Sequence, residues 1–148
     1  PMFTLLADSG ARIGEVLALR GGDIDRKNRA IRLGKTKTGD PRTLRPPAET
    51  IALLPEVAAN ELVFQAARPG CRRGKPLGGR VPLGVLWRAL EALEIADAQN
   101  VDLHSFRRSW ISSAHEEGVP LNVSMRATGH RSTRVHMDYA RRATHDMV

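Results

Sequence analysis

The chain has 148 residues, of which 41 % are apolar and 26 % charged, values typical of one globular domain. Its 23 Lys and Arg residues against 16 Asp and Glu give a net charge of +7 and a pI near 10.7, which favours a polyanionic partner. No apolar run approaches the roughly 18 residues of a transmembrane helix, so nucleic acid is favoured over a membrane.

The N-terminal segment predicts two short helices. Apolar residues at helical spacing over 3–7, and again from about 11 to 19, are interrupted at Gly10, which we expect to end the first helix. In the second helix, Arg12 and Glu15 are three residues apart and therefore on one face. Such a pair is most often a surface ion pair worth about 0 to 1 kcal/mol, but the glutamate can also brace an arginine that binds phosphate.

A small sheet is predicted next. Residues 23–25 and 31–33 are short alternating runs around an Asn-containing turn, a pattern typical of a β-hairpin. Residues 42–45 predict a third strand, which Pro46 ends. The turn before that strand contains 35–39, Lys-Thr-Lys-Thr-Gly. Lysines there are most often solvated, although one on a mobile loop can protonate a departing oxygen.

The remaining chain predicts mainly helices, so the expected fold class is α+β, mainly α, with a three-stranded antiparallel sheet. Helical patterns run over about 48–58, 82–95, 103–117, 120–128 and 132–141, with Pro55 expected to shorten the first. The loop 68–80 is rich in Gly, Pro and basic residues but lacks P-loop spacing, so we interpret it as a basic surface loop near DNA. It holds Cys71, the only cysteine, which excludes an internal disulfide and is interpreted as an ordinary thiol.

The last third of the chain carries the side chains best suited to phosphate chemistry. His104 and Arg107 are three apart, so a guanidinium that can grip two phosphate oxygens lies beside an imidazole able to move a proton. Alone, this pair is common on solvated helices. His130 precedes Tyr139, the only tyrosine, by nine residues; the tyrosine is either a half-buried anchor or a nucleophile that needs activation. Three further histidines fit no metal-ligand pattern and are predicted to lie on the surface: His115, His136 and His145.

Taken in order, these residues resemble the signature of the tyrosine recombinase (integrase) family, which is Arg, Lys, His-x-x-Arg, His or Trp, and Tyr. Residues 9–19, Ser-Gly-Ala-Arg-Ile-Gly-Glu-Val-Leu-Ala-Leu, resemble the family's box around its first arginine. Residues 35–39 resemble the integrase β-hairpin, and the interval from Gly129-His130 to Tyr139-Ala140-Arg141 has the usual length. The resemblance covers about residues 3–142, and the ordered motifs are jointly far more specific than each is alone.

The resemblance implies an enzyme that cleaves and rejoins DNA through a 3′-phosphotyrosine, with no metal ion, ATP or other cofactor. Tyr139 would attack the phosphate, Lys37 would protonate the 5′-oxygen, and Lys35 competes with Lys37 for that position. The arginines would stabilise the developing charge and the histidines would assist proton transfer and hydrogen-bond the phosphate. The implied catalytic residues are Arg12, Lys37, His104, Arg107, His130 and Tyr139, with Glu15 in support. DNA contacts are expected from Lys35, Arg42, Arg72, Arg73, Lys75 and Arg108.

The implied partner is double-stranded DNA, on which family members work as tetramers, whereas the free chain is expected to be monomeric. We expect a cytoplasmic location, associated with the nucleoid if the source is bacterial. Residues 1–148 are interpreted as one catalytic domain. The start at Pro1, the lack of an N-terminal core-binding domain and the nine residues after Tyr139 suggest a fragment of a larger protein.

Two other functions fit parts of the pattern. A type IB topoisomerase-like enzyme uses the same residue types and would relax supercoiled DNA as a single protomer. A basic DNA-binding module, derived from an integrase but inactive, would account for the charge. Phosphate binding alone does not require a tyrosine at position 139, which favours the recombinase.

Overall fold

The computed structural model describes residues 1–34, 41–66 and 76–138. Several residues singled out from the sequence lie outside this described part of the chain: Lys35, Lys37, Cys71, Arg72, Arg73, Lys75, Tyr139 and His145. Within it, helices surround one three-stranded antiparallel sheet, which confirms the predicted fold class. The described helices are all too short or too polar to cross a membrane.

The elements follow the predicted order, with somewhat different boundaries. They are α1 (Met2–Ser9), α2 (Ile13–Leu17), β1 (Ile24–Asp25), β2 (Ala30–Leu33), β3 (Arg42–Leu44), α3 (Ala48–Leu53), α4 (Arg80–Ala92), α5 (Ser105–Glu116) and α6 (Leu121–Thr128). Short 3-10 turns cover Gly21–Asp23 and Ala98–Asn100, and residues 133–138 are helical. α3 ends before Pro55, as predicted, because proline cannot donate the next helical hydrogen bond.

The sheet and the first three helices enclose the core. Ile31 in the central strand pairs with Ile24 on one side and Leu44 on the other, while Leu33 lies opposite Arg42. Ile31 and Leu33 are buried, and the side chain between them is exposed, as alternation along a strand requires. The buried core residues are Leu5, Leu6, Ala11, Val16, Leu19, Ile31, Leu33, Leu44, Ile51, Leu54, Val63 and Phe64.

α5 is anchored on the C-terminal end of α1. Gly10 ends α1 in the left-handed conformation with φ of 58°, and its N–H donates to the Leu6 carbonyl oxygen at 3.0 Å. A Cβ atom there would lie 3.0 Å from the Trp110 ring, so glycine also permits the close approach of α5. The Phe3 and Phe106 rings stack at 5.7 Å between centroids. These contacts fix which face of α5 points inward.

α4 ends earlier than the predicted helical pattern over 82–95. Its last residue is Ala92, and Leu93 is its C-terminal cap. Leu86 is buried within the helix, whereas Leu93 is 70 % exposed.

Candidate active site

Arg107 lies on the inward face of α5 and is 1 % exposed. Its Nη1 donates to the Gly10 carbonyl oxygen at 2.6 Å, and its Nη2 donates to the Thr128 carbonyl oxygen at 2.5 Å. Gly10 caps the end of α1, and Thr128 is the last residue of α6. The guanidinium therefore ties the C-terminal ends of two helices to the middle of the domain.

Arg12 immediately precedes α2 as its N-cap residue. Because its backbone is extended, with φ of −73° and ψ of 141°, the helix starts later than predicted. Its backbone N–H donates to Glu15 Oε2 at 2.8 Å, and its Nη1 lies 3.4 Å from Glu15 Oε1. Its Nη2 donates to the Gly129 carbonyl oxygen at 3.5 Å. The Arg12 and Arg107 guanidinium groups thus meet two consecutive carbonyls, those of Thr128 and Gly129.

Glu15 is the carboxylate of this region, and its strongest partner is Arg42. The pair is bidentate, with Arg42 Nη1 and Nη2 each 2.7 Å from one carboxylate oxygen of Glu15. Arg42 Nε also donates to the Ala127 carbonyl oxygen at 2.9 Å. The Glu15 and Arg42 side chains are 3 % and 8 % exposed. Burial raises the pKa of Glu15, but the hydrogen bonds from Arg42 and Arg12 and their charges lower it further than burial raises it.

Arg42, which is predicted to contact DNA, is nearly buried, because its guanidinium is bound to Glu15 and to the Ala127 carbonyl oxygen, so it braces the site from β3. Its contact with DNA stays a prediction. Glu15 contacts Arg12 mainly through the Arg12 backbone N–H.

A glycine turn places His130 beside these arginines. Gly129 ends α6 with φ of 68°, and a Cβ there would lie 3.0 Å from Arg42 Nη1, so a larger residue would both strain the turn and displace Arg42. His130 follows directly and lines an open groove of about 640 Å³ between β3 and α6. Burial, together with the charges of Arg107, His136, Arg12 and Arg42, lowers the pKa of His130 to about 3.

His136 is 0 % exposed, so the prediction that it is a surface residue is wrong. Its Nδ1 lies 2.8 Å from His130 Nδ1, and its Nε2 lies 2.7 Å from Ser124 Oγ. The ring of His115 lies 5.7 Å from that of His136 between centroids, and His115 is partly buried, which also departs from the surface prediction. Burial, then the charges of His115 and Arg107, lower the pKa of His136.

His104 and Arg108, at the start of α5, are placed differently from Arg107. His104 is exposed, and its side chain makes no hydrogen bond within the described residues. Arg108 Nη2 lies 3.2 Å from Asp102 Oδ1 and donates to Ser105 Oγ at 2.7 Å, in the group that caps α5. The Arg108 side chain is 30 % exposed and already pairs with Asp102. A DNA phosphate would therefore compete with Asp102 for the Arg108 guanidinium.

The described part of the site thus brings together Arg12, Arg107 and His130, with Glu15 and Arg42 behind them. Lys37 and Tyr139 lie outside the described residues. Three or more His, Cys, Asp or Glu side chains placed to hold a metal ion do not occur in the described ranges. Chemically, the arrangement offers fixed positive charge and a neutral imidazole, which suits an anionic ligand such as a phosphodiester.

A model of the phage integrase family matches residues 1–145. The chain belongs to this family. A probable integrase/recombinase protein of Methanocaldococcus jannaschii is 27 % identical over 146 residues, which cover 94 % of this chain and 44 % of that protein. The integrase family predicted from the ordered motifs is therefore confirmed.

Solved integrase and recombinase structures share the fold. XerA recombinase has a TM-score of 0.79 at 18 % identity, over 97 % of this chain and 54 % of that one. The Tn1549 transposon integrase, in complex with a circular intermediate DNA, has a TM-score of 0.73 at 16 % identity, over 97 % and 56 %. The catalytic domain of bacteriophage HP1 integrase has a TM-score of 0.65 at 20 % identity, over 95 % and 72 %. This integrase-family chain spans about half the length of the XerA and Tn1549 chains.

Ser124 and His136 are parts of this integrase site that no sequence motif predicted. They lie on different helical segments, 12 residues apart in sequence, so no local spacing marks them as partners. One signal was present: Ser124 and Thr128 are four residues apart in α6, and both are buried polar residues. A hydroxyl-bearing inward face is unusual for a short amphipathic helix and indicates a polar neighbour.

Proposed function

We propose that this chain is the catalytic domain of a site-specific recombinase that cleaves and rejoins double-stranded DNA through a phosphotyrosine at Tyr139. The observation that supports this most directly is the convergence of Arg12 and Arg107 on the consecutive carbonyls that precede His130. Two guanidinium groups fixed in this way create a preorganised positive field at the position of one phosphate, which Arg12 can contact directly while the buried Arg107 acts through its charge. Membership of the phage integrase family supports the same function.

The electrostatics of the site favour an anion. The pKa of His130 falls to about 3 because burial and the surrounding positive charges, Arg107 first among them, oppose a further positive charge. The same field stabilises the extra negative charge that a phosphodiester gains when it becomes pentacoordinate. Arg12, with 26 % of its side chain exposed, is the arginine of the pair that can reach a bound backbone phosphate.

In the proposed reaction, the Tyr139 hydroxyl gives its proton to His104 as its oxygen attacks phosphorus and forms a phosphotyrosine, while the bond from phosphorus to the 5′-oxygen breaks. Lys37 protonates the departing oxygen, with Lys35 as the alternative donor. Arg12 and Arg107 stabilise the transition state, and His130, together with His104, hydrogen-bonds the phosphate. A 5′-hydroxyl then attacks the phosphotyrosine and restores a phosphodiester, so neither ATP nor a metal ion is required.

The proposed partner is duplex DNA. The net charge of +7 supports binding to the phosphate backbone, with contacts proposed for Lys35, Arg72, Arg73 and Lys75. Such binding releases counterions, so the affinity should fall steeply with salt. Assembly as a tetramer on DNA is part of the same proposal.

The decisive experiment traps the covalent intermediate. The chain is incubated with a pool of duplexes of randomised sequence, each nicked so that the short fragment released with a free 5′-hydroxyl diffuses away. The label is on the part of the strand that stays bound to the protein, and adducts are separated under denaturing conditions. We expect a labelled protein–DNA adduct that disappears in Tyr139→Phe. An adduct that persists in Tyr139→Phe would contradict the assignment of the nucleophile. Salt-sensitive DNA binding by a wild-type chain that forms no adduct would favour the DNA-binding module instead.

A further inference from the structure

A buried line of hydrogen bonds runs from Ser124 through His136 to His130. Ser124 Oγ lies 2.7 Å from His136 Nε2, and His136 Nδ1 lies 2.8 Å from His130 Nδ1. Ser124 and His136 are both 0 % exposed, whereas His130 lines the groove between β3 and α6. The line therefore connects a fully buried hydroxyl to the histidine at the proposed phosphate site.

The contact between the two histidines holds a single proton. Two N–H groups facing each other at 2.8 Å would repel, so one Nδ1 donates and the other accepts. If His130 donates, the neutral His136 carries its own proton on Nε2, and Ser124 Oγ must accept it. If His136 donates, its Nε2 is an acceptor, and the Ser124 hydroxyl can donate to it.

The burial of Ser124 decides between these two directions. Among the described residues, Ser124 Oγ has no hydrogen-bond partner other than His136 Nε2. If Ser124 only accepted, its own hydroxyl proton would be buried without an acceptor, at a cost of about 1–3 kcal/mol. The favoured direction is therefore from Ser124 to His136 and from His136 to His130, which puts the proton of the neutral His130 ring on Nε2.

We propose that His136, itself oriented by Ser124, is a positioning residue that holds His130 in its Nε2–H tautomer. His130 then meets the scissile phosphate as a hydrogen-bond donor, and it has no Nε2 lone pair with which to take the proton of Tyr139. The identity of the ligand rests on the proposed function, whereas the tautomer is a property of the protein alone. The lowered pKa values of His130 and His136 agree with two neutral rings near pH 7, the state in which a tautomer matters.

The first test reads the tautomer directly. Long-range nitrogen–proton NMR correlations are recorded near neutral pH on the full chain with ¹⁵N-labelled histidine and without DNA. We expect both rings to be neutral, with His130 protonated on Nε2 and His136 protonated on Nδ1. A His130 ring that is protonated on Nδ1, in full or in substantial part, overturns the proposal, and so does a doubly protonated ring.

Four variants assign the tautomer to the proposed contacts. In Ser124→Ala, His136 Nε2 loses its Ser124 partner whether or not it carries a proton, so neither tautomer of His136 is favoured. We therefore expect His130 to become a mixture of its two tautomers. Ser112→Ala is the matched control, because Ser112 is also a buried serine but its Oγ has no hydrogen-bond partner among the described residues. His136→Phe removes the donor, and His136→Asn restores one near the position of Nδ1. If His130 keeps the same tautomer in Ser124→Ala and in His136→Phe, the hydrogen bonds from Ser124 and His136 do not set that tautomer, and the proposal is overturned.

The same variants are then tested for cleavage of the nicked duplex pool. We expect His136→Phe to slow adduct formation about tenfold, with DNA affinity unchanged, and His136→Asn to recover most of the rate. If the wild-type chain forms no adduct, the proposed function fails, and the NMR result still decides the tautomer. If the adduct forms but His130 carries its proton on Nδ1, the inference fails by itself.

Discussion

The two sides of the candidate site are built on different physical principles. On the side of α2 and β3, a buried carboxylate and two arginines form a charged brace, with Glu15 gripped by Arg42 at 2.7 Å on both oxygens. On the side of α6 and 133–138, Ser124, His136 and His130 form a neutral line of hydrogen bonds. The attraction between a fixed charge and a phosphate depends little on orientation, whereas a neutral hydrogen-bond donor must point at an oxygen. The charged side thus supplies affinity for the anion, and the neutral side supplies direction.

Breaking the charged brace should have the largest effect on stability. Glu15→Gln leaves Arg42 buried without its carboxylate, so we expect the free energy of unfolding to fall by about 3–5 kcal/mol. Urea denaturation followed by circular dichroism measures this. Glu56→Gln is the control, because Glu56 pairs with Arg26 at 3.8 Å and its side chain is 85 % exposed, so its loss should change stability by less than about 1 kcal/mol. Similar losses in both variants would show that the brace is not special.

The second prediction separates binding of the transition state from folding. Among the described residues, the Arg12 side chain makes only long contacts, at 3.4 and 3.5 Å, and Arg12→Ala keeps the backbone N–H that binds Glu15, so the free energy of unfolding should change by less than about 1 kcal/mol. Its loss should nevertheless reduce the rate of adduct formation by roughly 10²- to 10³-fold, as expected for a donor to a developing oxyanion. Single-turnover trapping and DNA-binding titrations measure the two effects.

Arg88→Ala, which removes an exposed arginine of α4, is the charge-matched control and should lower DNA affinity slightly at most. If Arg12→Ala weakened DNA binding as much as it slowed adduct formation, Arg12 would be an ordinary phosphate contact and not a transition-state residue.

The third prediction separates the two sides along the pH axis. The pKa of His130 is about 6.5 in the unfolded chain and about 3 in the folded chain. Between pH 6.5 and pH 3, the ring is therefore protonated in the unfolded chain and neutral in the folded chain. Stability should therefore fall as pH drops from about 6.5 towards 3, with His136 acting in the same direction. The pKa of Glu15 is lowered, so its stabilising contribution is present above about 4.5 and is lost only below that pH.

Urea midpoints measured from pH 7 to pH 4 test this order. In His130→Gln, the decline between about pH 6.5 and 4.5 should become shallower, because the variant has no ring at position 130 whose protonation burial and the charge of Arg107 oppose. An equal decline in wild type and His130→Gln would show that the neutral side does not titrate as described.

Local features of the fold could be predicted from sequence, whereas the pairing across the site could not. Gly10 as a helix end, the hairpin and the effect of Pro55 follow from backbone chemistry, which acts within a few residues. The Glu15–Arg42 pair joins residues 27 apart, and each side chain has an ordinary local interpretation as a surface charge. His136 was predicted to be a surface residue because its contacts, with Ser124 of α6 and His115 of α5, are distant in sequence. Motif order suggested the arginines and His130, but it contained no information about what orients them.

The smallest predicted effect compares two buried serines. Ser124→Ala removes the hydroxyl that satisfies His136 Nε2, so we expect the free energy of unfolding to fall by about 1 kcal/mol or somewhat more. Ser112→Ala removes a buried hydroxyl that has no partner among the described residues, so stability should stay within about 0.5 kcal/mol or rise. The stability of each variant is measured by urea denaturation at neutral pH, where His130 and His136 are uncharged. Since the two changes delete the same atom from a buried helical site, equal losses would mean that the Ser124–His136 bond contributes nothing to stability, and only its orienting role would remain to be tested.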